Sequence, residues 1–309
     1  MSTDLQLFVT LSPSMPHFLR FSRDERIAGI RINSAMMYAD EVEGEMKIVQ
    51  AVREWSRPLF FDVKARQLRI TKVNPVADHL EVRINHPIEV ETPTPVLFKA
   101  GEDSALLVDV LDKDYLVFRK GPYYNVKEGE SIHIRHPSLK ILGGTFPEYE
   151  LEKIDRVKPF FNRWVISYVE GWDDVQALRD IIGPEPALGL KIENKRGLDF
   201  VANQWKSCEN TFLIGAQGDL YVECDKPHEM LGAVRMIAKK DPTAWIGSRM
   251  LLSCVEQEVP SAADFAQLAW LYDQGYRKFL LCDDLCIQGD RLNRALNVFE
   301  AFRQYYPPA

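Results

Sequence analysis

The sequence predicts an α/β fold: a (β/α)₈ TIM barrel with a small antiparallel β domain inserted after the third barrel strand. Two observations predict it. Short apolar runs recur at 5–11, 27–32, 58–63, 163–169, 188–192, 211–216, 244–248 and 278–282. Each is nearly continuous in apolarity, as strands of a parallel sheet buried on both faces are. Amphipathic helical stretches alternate with them, and eight such alternations suggest a barrel. A doubly wound open sheet is the competing architecture, since alternation alone does not show closure.

The helical stretches follow in order. The first, 41–55, carries Val42, Met46, Val49 and Val52 on one face. The stretch 173–182 carries Val175, Leu178 and Ile182, opens on acidic residues and stops at Gly183-Pro184. The stretch 227–240 carries Met230, Leu231, Val234 and Ile237. At 261–272, Ser261 and Asp264 stand at capping-box spacing before Phe265, Leu268 and Leu271, and Gly275 ends the helix. The last, 290–302, carries Leu292, Leu296, Phe299 and Phe302. Between 71 and 139 the pattern becomes period-two, as in Leu80-Glu81-Val82-Arg83-Ile84 and Tyr115-Leu116-Val117-Phe118. Gly101, Gly121, Pro122 and Gly129 punctuate it. The predicted division is a barrel over 1–70 and 140–309 and a β-rich lid over 71–139.

Composition narrows the function classes. With 309 residues, 46% hydrophobic and 27% charged, the chain suits one large barrel or two smaller domains. A net charge of -7 argues against general nucleic-acid binding, yet a cleft on such a protein can still be locally basic and take a small anion. There is no apolar run long enough to span a membrane and no signal-peptide pattern at Met1-Ser2-Thr3-Asp4, so a cytoplasmic protein is expected. Cys208, Cys224, Cys254, Cys282 and Cys286 are expected to be reduced thiols, mostly buried. Cys282 and Cys286 have no second pair at zinc spacing. None of His17, His79, His86, His133, His136 and His228 pairs with a Ser or Cys for nucleophilic catalysis.

The chemistry concentrates at strand ends. Alternate residues of a strand point the same way. Three strands end in polar pairs spaced by two: Arg31 and Asn33, Asp62 and Lys64, Lys191 and Glu193. One pair alone reads equally well as a solvated strand end. Three pairs in one mouth read as a site, because the C-terminal strand ends of a barrel converge on its active site. Gly218-Asp219 follows the sixth strand; the glycine allows close backbone approach and a following helix offers free N–H groups to an anion, although a plain turn has the same sequence. Glu193 and Asp219 together are the carboxylates a Mg²⁺ ion needs, with substrate and water completing its octahedron. Ser248, ending strand seven, reads either as a polar group of the mouth or as a helix cap.

These residues carry a family resemblance. Lys191-Ile192-Glu193-Asn194 resembles the Lys-Ile-Glu-Asn motif of pyruvate kinases, and Ile166-Ser167-Tyr168-Val169, Asp174-Val175, Leu178-Arg179 and Ile182-Gly183 resemble the segment just upstream of it. Gly218-Asp219-Leu220 is similar to the family's Arg-Gly-Asp-Leu, with Gln217 in place of the Arg. Arg31-Ile32-Asn33-Ser34 resembles Arg-Leu-Asn-Phe-Ser-His, and Asp62-Val63-Lys64 with Arg69 resembles Asp-Thr-Lys-Gly-Pro-Glu-Ile-Arg. Thr10-Leu11-Ser12-Pro13-Ser14 resembles Thr-Ile-Gly-Pro-Ala-Ser, and Gly247-Ser248-Arg249-Met250-Leu251 resembles Ala-Thr-Gln-Met-Leu. The correspondence runs in order along almost the whole chain.

The resemblance implies roles. Lys191 would stabilise an enolate and a transferring phosphoryl group. Glu193 and Asp219 would hold Mg²⁺ (or Mn²⁺), which bridges the oxygens of pyruvate. The Gly218 and Asp219 amides would bind the substrate carboxylate. Arg31 and Arg69 would grip phosphate, with Lys64 beside them. Asn33, Ser34 and Asp62 would approach a monovalent cation, and Ser248 would stand near the face where a proton is transferred. Departures are also visible. The Phe, His and Gly of the family's Phe-Ser-His-Gly run are gone, and that His is associated with nucleotide binding. Val63 replaces the Thr that helps ligate the monovalent cation, and Gln67 replaces the Glu of that strip. The insert is shorter than the family's mobile lid, Cys282-Asp283-Asp284-Leu285-Cys286 is unlike Ser-Gly-Glu-Thr, and no counterpart of the regulatory C-terminal domain precedes Ala309. A monomer or dimer is therefore expected. Three functions follow: a pyruvate kinase-like phosphotransferase acting on phosphoenolpyruvate and a nucleotide or other acceptor; a repurposed barrel doing carbon–carbon chemistry on the pyruvate enolate; or a non-catalytic sensor on the same scaffold.

Overall fold

The computed structural model describes residues 5–37, 40–76 and 79–306. The branched and aromatic runs of the sequence become strands. In chain order these are β1 (Gln6–Thr10), β2 (Gly29–Asn33), β3 (Leu59–Val63), β4 (Ile70–Val76), β5 (His79–Ile84), β6 (Ile88–Glu89), β7 (Thr94–Phe98), β8 (Asp103–Leu111), β9 (Tyr115–Arg119), β10 (Lys140–Ile141), β11 (Arg163–Ile166), β12 (Ala187–Ile192), β13 (Thr211–Ala216), β14 (Trp245–Gly247) and β15 (Lys278–Leu280). The parallel strands β1, β2, β3, β11, β12, β13, β14 and β15 form a closed barrel, with Phe8 of β1 facing Leu280 of β15 at the seam. Closure decides between the barrel and the open sheet.

The helices are α1 (Phe18–Phe21), α2 (Val42–Val52), α3 (Glu148–Val157), α4 (Trp172–Ile182), α5 (Lys195–Asn203), α6 (Gln217–Glu223), α7 (Glu229–Lys240), α8 (Ala262–Asp273), α9 (Asp283–Cys286) and α10 (Gly289–Tyr305). The predicted face of α2 is buried, and Ser261 and Asp264 form the capping box of α8. Leu231 and Phe265, in contrast, are 46% and 39% exposed. Each lies on the flank of its helix's buried stripe, which is centred on Val234 and Ile237 in α7 and on Leu268 and Leu271 in α8. Of the cysteines, Cys224, Cys254 and Cys286 are buried, and all five are free thiols.

The barrel interior is filled in two layers. At the lower level the Trp245 ring stacks on Phe8 at 3.8 Å and on Phe212 at 4.6 Å, and meets the edge of Phe60 at 4.9 Å. Glycines opposite them make the room. A Cβ on Gly29 would lie 2.8 Å from the Phe8 ring, and one on Gly189 would lie 2.9 Å from Phe212. Three phenylalanine rings and a tryptophan thus plug the bottom of the barrel and leave the upper, C-terminal level to polar side chains.

The insert is a five-stranded antiparallel sheet in the order β4-β5-β9-β8-β7, with a separate β6–β10 pair. Its core is Val82, Val96, Phe98, Leu107, Leu116 and Phe118, all at or near zero exposure. The segment after Gly129 bridges the two ends of that sheet, pairing Ser131 with Arg69 and His133 with Leu97. Pairing of Lys140 and Ile141 with Glu89 and Ile88 carries this region past the predicted limit at 139, because β10 completes a ladder begun inside the insert.

Trp245→Ala should open a cavity at the centre of the plug and cost about 3–5 kcal/mol of stability. Urea unfolding checks it, and Trp245→Phe should recover most of the loss.

Candidate active site

Above the aromatic plug, the inward positions change character by strand alternation. Phe60 is followed by Asp62 and Lys64, Gly29 by Arg31 and Asn33, and Gly189 by Lys191 and Glu193. Register then sets them side by side: Asn33 faces Asp62 across β2 and β3, and Thr10 faces Arg31 across β1 and β2.

Asp62 is fully buried and is the hub. Its Oδ2 accepts from Arg31 Nε at 2.7 Å and Lys64 Nζ at 2.9 Å, while Oδ1 accepts from Ser167 Oγ at 2.9 Å. Lys191 Nζ stands 3.9 Å from the same carboxylate. Burial alone would raise the Asp62 pKa; Lys64, Arg31 and Lys191 outweigh it and hold the carboxyl well below the usual range. Lys64 is pushed down to about 8 by burial, aided by the charges of Arg31 and Lys191 and opposed by Asp62.

Lys191 also pairs with Glu193 Oε1 at 2.6 Å. Glu193 Oε2 accepts the backbone N–H of Tyr168 at 2.6 Å. Burial raises Glu193 to about 7, with Asp219 adding to the rise and Lys191 opposing it. Asp219 is shifted the other way: burial would raise it, but Lys191 and His133 lower it. Two neighbouring carboxylates, one buried and reluctant to ionise, would relieve their repulsion on a shared cation, although both Glu193 oxygens are paired here with Lys191 and the Tyr168 N–H. That donor set fits Mg²⁺, which takes one or two protein carboxylates and leaves the remaining positions to substrate and water. Among the described residues no group of three or more His, Cys, Asp or Glu side chains is arranged to hold a metal.

The resulting cavity of about 190 Å³ is lined by Arg31, Lys64, Arg69 and Lys191 on one side of the charge balance and Glu193, Asp219 and Asp283 on the other. With Asp62 behind them the formal charges cancel. Asn33, Ser248 and the Gly247 backbone also line it. Lys191, Glu193 and Asp219 therefore meet in one pocket.

Other predicted residues are placed differently. Ser34 lies outside the cavity, buried with its hydroxyl on Glu150. Asn33 Nδ2 donates to Asp283 Oδ2 at 3.1 Å. The three candidate ligands for a monovalent cation thus turn to three different partners, and the Lys64 ammonium occupies Asp62. Arg31 reaches Asp283 at 3.1 Å with its free edge, and Arg69 is held by Gln67 Oε1 at 2.6 Å and the Gly129 carbonyl at 2.7 Å. The Gly218 N–H, expected to meet a substrate carboxylate, donates instead to Ser248 Oγ at 2.8 Å. A Cβ at 218 would lie 3.0 Å from that oxygen, so the glycine is what admits the contact. The Asp219 amide lies in the first turn of α6, where helical N–H groups lack an intrahelical acceptor.

Sequence reasoning missed four groups. Asp283 enters from the start of α9. Tyr168 sits just past β11 in the left-handed region at φ 52°, buried, with its hydroxyl 3.3 Å from both Asp219 Oδ1 and Glu223 Oε1. Glu223 ends α6 and pairs with His133 Nδ1 at 2.6 Å. His133, set aside with the insert's other histidines, is buried against the barrel and ties the insert to the mouth. The only local signal was the alternation of Ile132, His133 and Ile134.

Burial lowers the His133 pKa, but its hydrogen bond and ion pair with Glu223 outweigh this and raise it. A raised folded value means the pair stabilises fully below the unfolded value of about 6.5 and loses that contribution as pH climbs through the folded value. The melting temperature should therefore fall over that interval. Glu223→Gln should flatten this part of the pH profile and, at pH 6, cost about 3–5 kcal/mol; thermal melts from pH 5 to 9 check both.

No family model matches the sequence, and no curated protein matches it. Solved structures do match in fold. The pyruvate kinase of Pyrobaculum aerophilum superposes with a TM-score of 0.76 over 99% of this chain and 74% of its own, at 15% identity. That of Cryptosporidium parvum superposes with a TM-score of 0.74 over 97% of this chain and 70% of its own, at 17% identity. A second Cryptosporidium parvum structure, in complex with ADP, gives 0.74 over 99% of this chain and 72% of its own, at 15% identity. The chain has a diverged pyruvate kinase-like fold: the closed barrel together with its inserted β domain.

Proposed function

We propose that the barrel mouth is a divalent-cation-assisted site for a pyruvate-type carboxylate, acting through its enolate and moving phosphate between phosphoenolpyruvate and an acceptor. The observation that carries this reading is the convergence of Lys191, Glu193 and Asp219 in one pocket of about 190 Å³. The cavity's own charges balance, so a bound Mg²⁺ leaves it two charges positive, matched to an anion bearing a carboxylate.

Glu193 and Asp219 would hold the cation, and when bound it would supply Lewis-acid polarisation of the substrate oxygen. The chain's own residues supply the rest. Lys191, kept protonated by Glu193 and Asp62 against the effect of burial, places a fixed positive charge where enolate charge develops. Arg31 and Lys64 extend that field toward a phosphoryl group, the kind of positioning and charge stabilisation on which phosphoryl transfer depends. Tyr168 fixes Glu193 by its backbone N–H and stays protonated, since burial pushes its hydroxyl well above the ordinary value.

One observation favours carbon–carbon chemistry on the same enolate as a second reading. Asp283 already occupies the outer edge of Arg31 and the amide of Asn33. A phosphoryl group must compete with that carboxylate, whereas an enolate at Lys191 need not.

Two measurements separate these readings. With Mg²⁺ and pyruvate in D₂O, methyl deuteration followed by NMR should proceed, and Lys191→Met should slow it by about 10²-fold or more. Pyruvate release from phosphoenolpyruvate should appear with ADP or another diphosphate if phosphate is transferred. Deuteration without any such release selects the second reading. Absence of both activities rejects the enolate site. Asp283→Asn should free Arg31 and tighten phosphoenolpyruvate binding several-fold in calorimetry, because it removes a carboxylate competing for the same guanidinium.

A further inference from the structure

A second and larger cavity, about 350 Å³, lies where the insert meets the barrel. Its insert wall is apolar: Leu68, Ile132, Ile134, Leu139 and Ile141 present hydrocarbon to it. Its barrel wall is polar and includes Glu223 and Tyr168, whose hydroxyl lies 3.3 Å from Asp219 of the first site. An apolar cleft of this size with a few convergent polar groups is the ordinary form of a small-molecule site.

The charges on its lining define the ligand. Lys195 is paired with Asp225 at 2.6 Å, Arg66 with Asp174 at 2.8 Å, and Arg196 with Glu170 at 3.5 Å. Arg135 and Asp199 form no ion pair within 4 Å among the described residues, although the charge of Arg135 reaches Asp225; the Arg135 Nε is buried without a hydrogen-bond partner. A buried guanidinium donor left unsatisfied costs free energy that an anionic ligand would recover. One unpartnered cation beside an apolar wall suits a single negative charge on an apolar body. It does not suit a polyphosphate, whose several charges would also face Glu170, Asp199, Glu223 and Asp225.

We propose that this cavity binds a small amphipathic monoanion, its acidic group on Arg135 and its apolar body against Ile132, Ile134 and Leu139. The site is distinct from the Lys191 pocket and needs neither Mg²⁺ nor the enolate reading. Tyr168 lines this cavity and contacts Glu193 and Asp219 of the first, so a ligand here lies next to the first site without entering it.

The test uses 4-phenylbutyrate as the probe and 4-phenylbutanol as its neutral counterpart, both titrated by calorimetry against the full chain without Mg²⁺. One equivalent of the acid should bind, about tenfold or more tighter than the alcohol, as a charge-assisted hydrogen bond predicts. Arg135→Met should erase that difference, and Glu193→Gln should leave it intact. Nuclear Overhauser contacts should run from the phenyl protons to the Ile132 and Ile134 methyl groups, a readout independent of the variant's folding. The inference is overturned if neither probe binds at millimolar concentration, if acid and alcohol bind equally, if Arg135→Met binds like the parent, or if the contacts fall elsewhere.

Discussion

The structure turns on Asp62. It is a carboxylate with no exposure to solvent, and an isolated charge there would be untenable. It is held ionised by Arg31, Lys64 and Lys191, with Ser167 on its other oxygen. Those partners come from β2, the end of β3, β12 and the end of β11, so one buried anion draws four strand ends into one geometry. Through Arg31 the network continues to Asp283 and Thr10, which carries it across the β15–β1 seam. The cations of the mouth are consequently positioned before any ligand arrives. Their desolvation is offset by pairing with Asp62, Glu193 and Asp283, the preorganisation that electrostatic stabilisation of a developing charge requires.

This placement depends on the layer beneath. Alternation puts ring and charge on the same side of the same strand, Phe60 below Asp62 on β3 and Gly189 below Lys191 on β12. If the lower level were not filled by Trp245 and the phenylalanines around it, water would reach the carboxylate hub from below and weaken every interaction in it. Gly29 and Gly189 serve the site indirectly by clearing space for those rings. The mouth and the plug are therefore one design, with burial below making the charge pairing above strong.

What the sequence disclosed follows from periodicity. Lys191 and Glu193, Asp62 and Lys64, and Arg31 and Asn33 were legible because strand spacing alone aims such pairs into the barrel. The insert was legible because its period shifted to two. Helices α1, α3, α5 and α9 have no counterpart in the sequence reading, the first and last because four residues carry no periodic stripe, and α6 is anticipated only as one reading of Gly218-Asp219. Asp283, Tyr168, Glu223 and His133 were illegible for another reason. His133 and Glu223 lie 90 residues apart, and Arg31 and Asp283 lie 252 apart. No local pattern specifies which distant partner a polar side chain meets. The same limit explains two differences from the sequence reading: Ser34 bonds Glu150 of α3 instead of a cation, and the Gly218 amide donates to Ser248 instead of a ligand.

Tyr168 gathers these threads. A tyrosine at positive φ is a strained conformation, tolerated where the surroundings over-determine it. Here the turn aims its N–H at Glu193 and its hydroxyl at Asp219, so one residue addresses both carboxylates of the pair. The hydroxyl has one proton and two carboxylates at equal distance, Asp219 in the mouth and Glu223 in the insert's latch. His133 of the insert, paired with Glu223 at 2.6 Å, also stands 3.4 Å from the same hydroxyl, so Tyr168 is the residue at which the insert's contact and the carboxylate pair of the mouth meet.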